Sequence, residues 1–214
     1  HVPLVYYRPS EWSRQLVGDE NEGVMHGVFI TDWDRNGRDA ILTASFLGIH
    51  LYRYRASHEW KRDELAQGSP LAWPKSGVSD VAVGRLGAER FLATVEPWHG
   101  NEVALYRRSA AGVWERKVLD DTLDDTHSIV TADLDGDGRD ELIVAQRGKP
   151  GRVLVYRLEN GAWTRIVVEE GGVTAASCAA GDLNGDRRPD IVCVGSTTAN
   201  LKWYEMIRPG LNRK

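Results

Sequence analysis

Apolar side chains along this chain come in runs of roughly four to eight positions, each cut off by glycine, proline, asparagine or aspartate. Between residues 127 and 168 the pattern predicts four strands: about 127–132, 142–146, 152–158 and 163–168. An acidic loop separates the first two, and Glu159-Asn160-Gly161 forms a tight turn before the last. The first strand is small and apolar, as an innermost strand must be. The last opens with Trp163 and Arg165, side chains that suit an outer edge that has to resist pairing with another chain. No segment sustains the 3.6-residue period of an amphipathic helix, so little helix is expected.

The same four-strand unit recurs about every 50 residues. The acidic loop appears as Asp133-Leu-Asp135-Gly-Asp137-Gly-Arg139-Asp140-Glu141, as Asp182-Leu-Asn184-Gly-Asp186 with Asp190, and as Asp32-Trp-Asp34-Arg-Asn36-Gly37. Residues 79–86 align with 127–134 as a degenerate copy in which Arg85 replaces the first acid. Two further markers keep the period. One is a Tyr-Arg pair at Tyr7-Arg8, Tyr54-Arg55, Tyr106-Arg107 and Tyr156-Arg157, with Tyr204-Glu205 as a variant. The other is a Trp-x-Arg triplet beginning at Trp12, Trp60, Trp114 and Trp163. Both read as packing and edge protection. Four antiparallel strands repeated at this interval specify an all-β chain, a β-propeller with about four to five blades covered. The blade units fall at about 22–67, 70–120, 123–170 and 171–207 of a single domain spanning 1–214, with 3–18 supplying outer strands. Residues 12–17 could complete the last blade, or the chain could be part of a larger ring.

Composition narrows this picture in a few places. A net charge of −4 gives no general attraction to nucleic acid or anionic membranes. No apolar run reaches membrane-spanning length. The chain opens at His1, which leaves room for a removed signal and leans the compartment towards secreted or periplasmic. His1 and His58 are expected at the surface. The two cysteines, Cys178 and Cys193, fall on consecutive predicted strands. Even closure of the 182–190 loop places Cys193 opposite Ala179, one residue out of register with Cys178, so two buried free thiols are expected.

Alternating carboxylates in a glycine-bearing loop suit a hard cation such as Ca²⁺, which takes six to eight oxygen ligands. Asp133, Asp135, Asp137 and Glu141 are candidate side-chain ligands, with the carbonyl of Arg139 as another. The alternative is a solvated acidic turn. The spacing is not that of an EF-hand, since Val144 holds the twelfth position.

The loops resemble the FG-GAP/VCBS repeat, a family that includes the propellers of integrin α subunits, fungal lectins and some polysaccharide-active enzymes. The resemblance implies structural Ca²⁺ in the loops between first and second strands, at two or three sites. Asp182, Asn184, Asp186 and Asp190 fill the pattern, although Arg187 stands where glycine is usual. Asp32, Asp34 and Asn36 match, but Ala40 occupies the closing-acid position. The degenerate copy is expected to hold no metal. A narrower likeness covers residues 96–103 (Glu-Pro-Trp-His-Gly-Asn-Glu-Val) and the histidines that open the first strands. These are similar to the propeller part of the aldos-2-ulose dehydratase family, which eliminates water from keto-sugars and whose known enzyme is much longer, with additional domains.

Propeller topology sends the opposite loops to a second face, where chemistry is sought. His26 and His127 occupy equivalent positions there, with Glu96, His99, Trp98, Trp73, Lys75, Asp125 and Arg147. Two readings use them. In the first, imidazoles and Glu96 act as acid and base on a keto-sugar, or hold a catalytic divalent metal. In the second, Trp98 and Trp73 stack on sugar faces while Lys75, Asp125 and Arg147 bind hydroxyls, without catalysis. The bland reading of each histidine is a hydrogen-bonded cap on its strand. A carbohydrate or sugar-derived partner is expected, with a lectin-like or protein-binding propeller as the alternative class, and no nucleic acid. No Gly-rich phosphate loop, Gly-x-Ser-x-Gly elbow or Cys-x-x-Cys is present.

Overall fold

The computed structural model describes residues 2–207 of the chain, so His1 lies outside the described residues. All regular structure is β. Strands β1 (Leu4–Tyr7) and β2 (Arg14–Gly18) pair with each other. The first blade is β3 (Met25–Thr31), β4 (Ala40–Ser45), β5 (Gly48–Tyr54) and β6 (Trp60–Ala66), hydrogen-bonded in that order. A short hairpin follows, β7 (Ser69–Pro70) and β8 (Ser76–Gly77). The second blade is β9 (Asp80–Leu86), β10 (Glu89–Glu96), β11 (Glu102–Arg108) and β12 (Trp114–Asp120). The third is β13 (Thr126–Ala132), β14 (Glu141–Gln146), β15 (Arg152–Glu159) and β16 (Ala162–Glu170). The last holds three strands, β17 (Ala175–Gly181), β18 (Asp190–Gly195) and β19 (Leu201–Tyr204). The fold is an all-β propeller built of four-stranded antiparallel blades. No helix among the described residues is long and apolar enough to cross a membrane.

The chain divides into two compact units, described separately below: His1–Val81 with Thr94–Gly100, and Ala82–Ala93 with Asn101–Lys214. In both, the second and third strands of a blade are buried almost throughout and the fourth is half exposed. Inner strands are covered on both faces and so read as continuous apolar runs. In the second unit Leu134, Ile143, Val153, Val155, Val173, Ile191 and both cysteines share one core cluster.

The cysteines correct the sequence reading. Cys178 and Cys193 form a disulfide, as directly opposed residues of β17 and β18. The connecting loop closes between Gly181 and Asp190 rather than evenly about Asp182. That one-residue change of register brings both side chains to the same side of the sheet.

The periodic Tyr and Arg markers also have a more specific role than edge protection. Tyr52 lies opposite Arg62, and Tyr156 opposite Arg165. In the first unit Tyr52 and Arg62 both donate to Glu22, at 2.6 and 2.8 Å. In the second, Tyr156 and Arg165 both donate to Asp120, at 2.7 and 2.9 Å. Lys202 and Tyr204 do the same for Glu169. A carboxylate arriving just before one blade, or at the end of the preceding outer strand, is thus clamped by a buried tyrosine and a cation. The equivalent of Tyr156-Arg157 in the first blade is therefore Tyr52-Arg53, two residues earlier than the sequence marker Tyr54-Arg55. Asp120 and Glu169 are held below the usual carboxylate range. For Asp120 burial opposes this and the bonds from Tyr156, Thr122 and Arg165 prevail; for Glu169 the bond from Lys202 leads.

Candidate functional site

The first strand of three blades carries the same irregularity. Pairing skips His26 between Met25 and Gly27, His127 between Thr126 and Ser128, and Ala176 between Ala175 and Ser177. Each skipped residue is a β-bulge, a device that re-aims one side chain out of the regular alternation. In the first unit the His26 Nδ1–H donates to the carbonyl of Ser79, 3.1 Å away. In the second, the His127 Nδ1–H donates to the carbonyl of Ala176 at 2.7 Å. A carbonyl can only accept, so Nδ1 is the protonated nitrogen in both rings and the neutral form leaves Nε2 basic.

In the first unit His26 Nε2 lies 3.2 Å from His99 Nε2. The rings meet edge to face, with centroids 5.0 Å apart. With His26 anchored through Nδ1, the proton in this contact belongs to His99. His99 adopts a left-handed backbone (φ 51°) in the turn after Glu96, and that turn is so tight that a Cβ on Gly100 would lie 2.1 Å from the Glu96 carbonyl. Glu96 is buried and accepts from Thr94 Oγ1 at 2.6 Å.

An aromatic row continues from the histidines. Trp98 tilts against His99, with centroids 4.7 Å apart. Phe46 meets Trp98 edge-on at 5.3 Å and Trp73 at 6.3 Å. Trp73 is 73% exposed and Trp98 is exposed, while Phe46 beneath them is buried. The indole faces are therefore held in place by packing yet open to solvent, as a stacking surface for a flat apolar face requires. Lys75 is exposed on the hairpin beyond Trp73. Phe46, in the turn after β4 that propeller topology sends to the same face, is the buried member of the row.

In the second unit Asp125 and Arg147 bind each other through two bonds of 2.9 Å. The two proposed ligand-binding charges therefore already satisfy one another. His127 stands in this unit, at its bulge.

The acidic loops differ sharply. Asp133, Asp135 and Glu141 bring carboxylate oxygens within 4.8 Å of one another. Glu141 is buried, and burial, followed by the charges of Asp135 and Asp137, raises its carboxyl to about 7 despite the Leu134 N–H and Arg157. Arg157 Nε sits 3.5 Å from both Asp135 and Glu141 without making a hydrogen bond. A crowded, desolvated set of hard oxygens of this kind fits a divalent cation. Asp137 instead turns to Arg139, which holds its carboxyl low; Arg139 also bridges to Leu86. In the next loop Asp182 accepts from the backbone of Gly185, Asp186 and Arg187, and Asn184 donates to Glu205. Asp186 pairs with Arg188, and Asp190 accepts from Leu183 and Met206. Around Asp32 the carboxylate accepts from Asn36 and Gly37, Asp34 pairs with Arg53, and the Asn36 side chain accepts from Arg38. Among the described residues no carboxylate triad forms around Asp182 or Asp32.

Repeated four-stranded blades with acidic first loops define the class: a β-propeller of FG-GAP-like repeats. The chain matches the FG-GAP-like repeat over residues 133–193 and the β-propeller domain of aldos-2-ulose dehydratase over residues 3–109. It belongs to the aldos-2-ulose dehydratase β-propeller family. It is similar to "Aldos-2-ulose dehydratase" of Phanerodontia chrysosporium, with 32% identity over 159 residues. That alignment covers 64% of this chain and 17% of the relative, so the chain spans about a sixth of the relative's length.

Proposed function

We propose that this propeller recognises a keto-sugar on the Trp73–Phe46–Trp98 row and eliminates water from it with His26 and His99. The observation that carries the reading is the 3.2 Å contact between the two Nε2 atoms beside an open indole. The similarity to an aldos-2-ulose dehydratase suggests the substrate class. The pair works when it holds one positive charge, on His99. His26 Nε2 takes the proton from the carbon next to the carbonyl, and the electron pair left behind forms the new C=C bond. The departing hydroxyl takes the His99 Nε2 proton and leaves as water. The proton now on His26 then passes back across the short contact, and the pair is restored. Trp98 and Trp73 hold the sugar face, which sets the geometry for both transfers. His26→Asn and His99→Asn are expected to lower aldos-2-ulose turnover by at least 100-fold while leaving binding within a few-fold. Unchanged turnover in either variant would remove the acid–base assignment. The exposed tryptophans also suit a lectin without catalysis. Binding with no turnover by the parent protein would select that reading.

In the same reading, Asp133, Asp135 and Glu141 hold a structural Ca²⁺, with the Arg139 carbonyl as a further donor. The ion would neutralise the loop's crowded carboxylates and fix the β13–β14 turn. The Asp182 loop repeats the backbone bonds of the Asp133 loop, and Asp182, Asn184, Asp186 and Asp190 are proposed to hold a second Ca²⁺, with Asp32, Asp34 and Asn36 as a third candidate set.

A further inference from the structure

The first unit contains a second polar cavity, about 450 Å³ in volume, under the β7–β8 hairpin. Its lining includes Phe46, His50, Glu64, Gln67, Ser69 and Ser76. His50 is 1% exposed and its Nδ1 lies 3.2 Å from Glu22 Oε2; Glu22 is itself 1% exposed. Thr43 Oγ1 also donates to that carboxylate oxygen, at 3.2 Å. Ser69 is 3% exposed, and its Oγ has no hydrogen-bond partner. Gly77 closes the rim with a left-handed backbone, where a Cβ would lie 2.3 Å from the Ser45 carbonyl. The hairpin is thus seated tightly on the β4–β5 turn.

The clamp around Glu22 does not need His50. In the third blade Tyr156 and Arg165 hold Asp120, and the cross-strand pair standing where Thr43 and His50 stand is Val144 and Leu154. In the last blade Lys202 occupies the His50 position and supplies the clamp's cation. The first blade has its cation in Arg62, so Thr43 and His50 are a buried polar pair added to a clamp already complete. Burying such groups is unfavourable without a compensating interaction; Thr43 reaches only Glu22, while His50 also borders this cavity.

We propose that the cavity is a second carbohydrate subsite for a single neutral monosaccharide, its hydroxyls bonded by Ser69, Gln67, Glu64 and the His50 imidazole, its apolar face on Phe46. Hydroxyl, amide and carboxylate side chains beside one apolar wall match a pyranose better than an anion: Arg62, the cation in the lining, is already paired with Glu22, and Glu64 would repel a negative ligand. Glu22 orients the imidazole and Thr43 orients Glu22. The ligand class rests on the carbohydrate reading above; the existence of the site does not. The test uses the double variant Thr43→Val/His50→Leu, whose new pair is the one the third blade already accommodates, with thermal unfolding to confirm the fold. Backbone and indole NMR shifts are followed while D-glucose, D-fructose or an aldos-2-ulose is added. In the parent, Gln67, Ser69 and Ser76 amides should respond with a saturation curve of their own. In the folded double variant, and in Ser69→Ala, that response should need at least tenfold more sugar while the Trp98 indole responds as before. A Trp98 response with no change at Gln67–Ser76, or a cavity response that the folded double variant keeps, would overturn the subsite. A cavity response without one at Trp98 would support it and overturn the aromatic platform instead.

Discussion

Replacing Glu22 with glutamine keeps the shape of the first-blade clamp and removes its charge. Burial alone would raise the Glu22 carboxyl, but the close contact of His50 and the bonds from Tyr52 and Arg62 outweigh it and lower the group from 4.5 to about 2. A carboxyl depressed in the folded state adds stability above its unfolded value and loses it as pH falls through the folded one. The stabilisation is therefore complete above pH 4.5 and gone near pH 2, and amounts to about 3 kcal/mol at neutral pH. For a chain of this size that corresponds to a melting-point difference of roughly 6–12 °C. The assay is chemical unfolding of parent and Glu22→Gln at a series of pH values from 7 to 2. Other carboxylates titrate equally in both proteins, so the difference between them isolates Glu22. It should be about 3 kcal/mol at pH 7 and shrink steadily below pH 4.5. A difference that is constant with pH would refute the charge-based account of the clamp. It would leave only the loss of hydrogen-bond geometry.

Three other outcomes are expected. Tyr156→Phe removes the hydroxyl that bonds Asp120 and should cost about 1–2 kcal/mol in urea unfolding, more than a surface tyrosine would. Cys193→Ser opens the disulfide between β17 and β18, a loop that model estimates value at about 3 kcal/mol; unfolding with and without reductant should differ in the parent and coincide in the variant. Chelating Ca²⁺ should lower the melting temperature more than it changes sugar affinity, and Glu141→Gln should abolish the calcium-dependent part of that shift. A larger effect on affinity than on melting would move the ion from a structural to a ligand-binding role.

Much of the architecture was legible because a propeller repeats its evidence. Residues 127–168 gave the strand order of one blade, and the acidic loops carried it along the chain. What the sequence concealed depends on register. A bulge at His26 or His127 has no compositional signature; it shows only once Met25 pairs with Ser45 and Gly27 with Ala44. The disulfide was hidden by the same one-residue uncertainty in the 182–189 loop. The tyrosine clamps were visible as periodic markers, but their partners Glu22, Asp120 and Glu169 lie in connecting segments or at strand ends, where no pattern singles them out. The acidic loops show the opposite difficulty. Asp133 and Asp182 share one motif, yet a carboxylate triad is gathered around the first, because Asn184 stands where Asp135 supplies its carboxylate. His26 and His99 are far apart in sequence and meet because the turn after Glu96 folds His99 back with a left-handed backbone.

Single-turnover measurement of an aldos-2-ulose with the parent, His26→Asn, His99→Asn and Trp98→Ala tests the central claim most directly. The account predicts water elimination by the parent, at least 100-fold slower chemistry with near-normal binding in the two histidine variants, and weakened binding in Trp98→Ala. Elimination at parental rates in either histidine variant would contradict it.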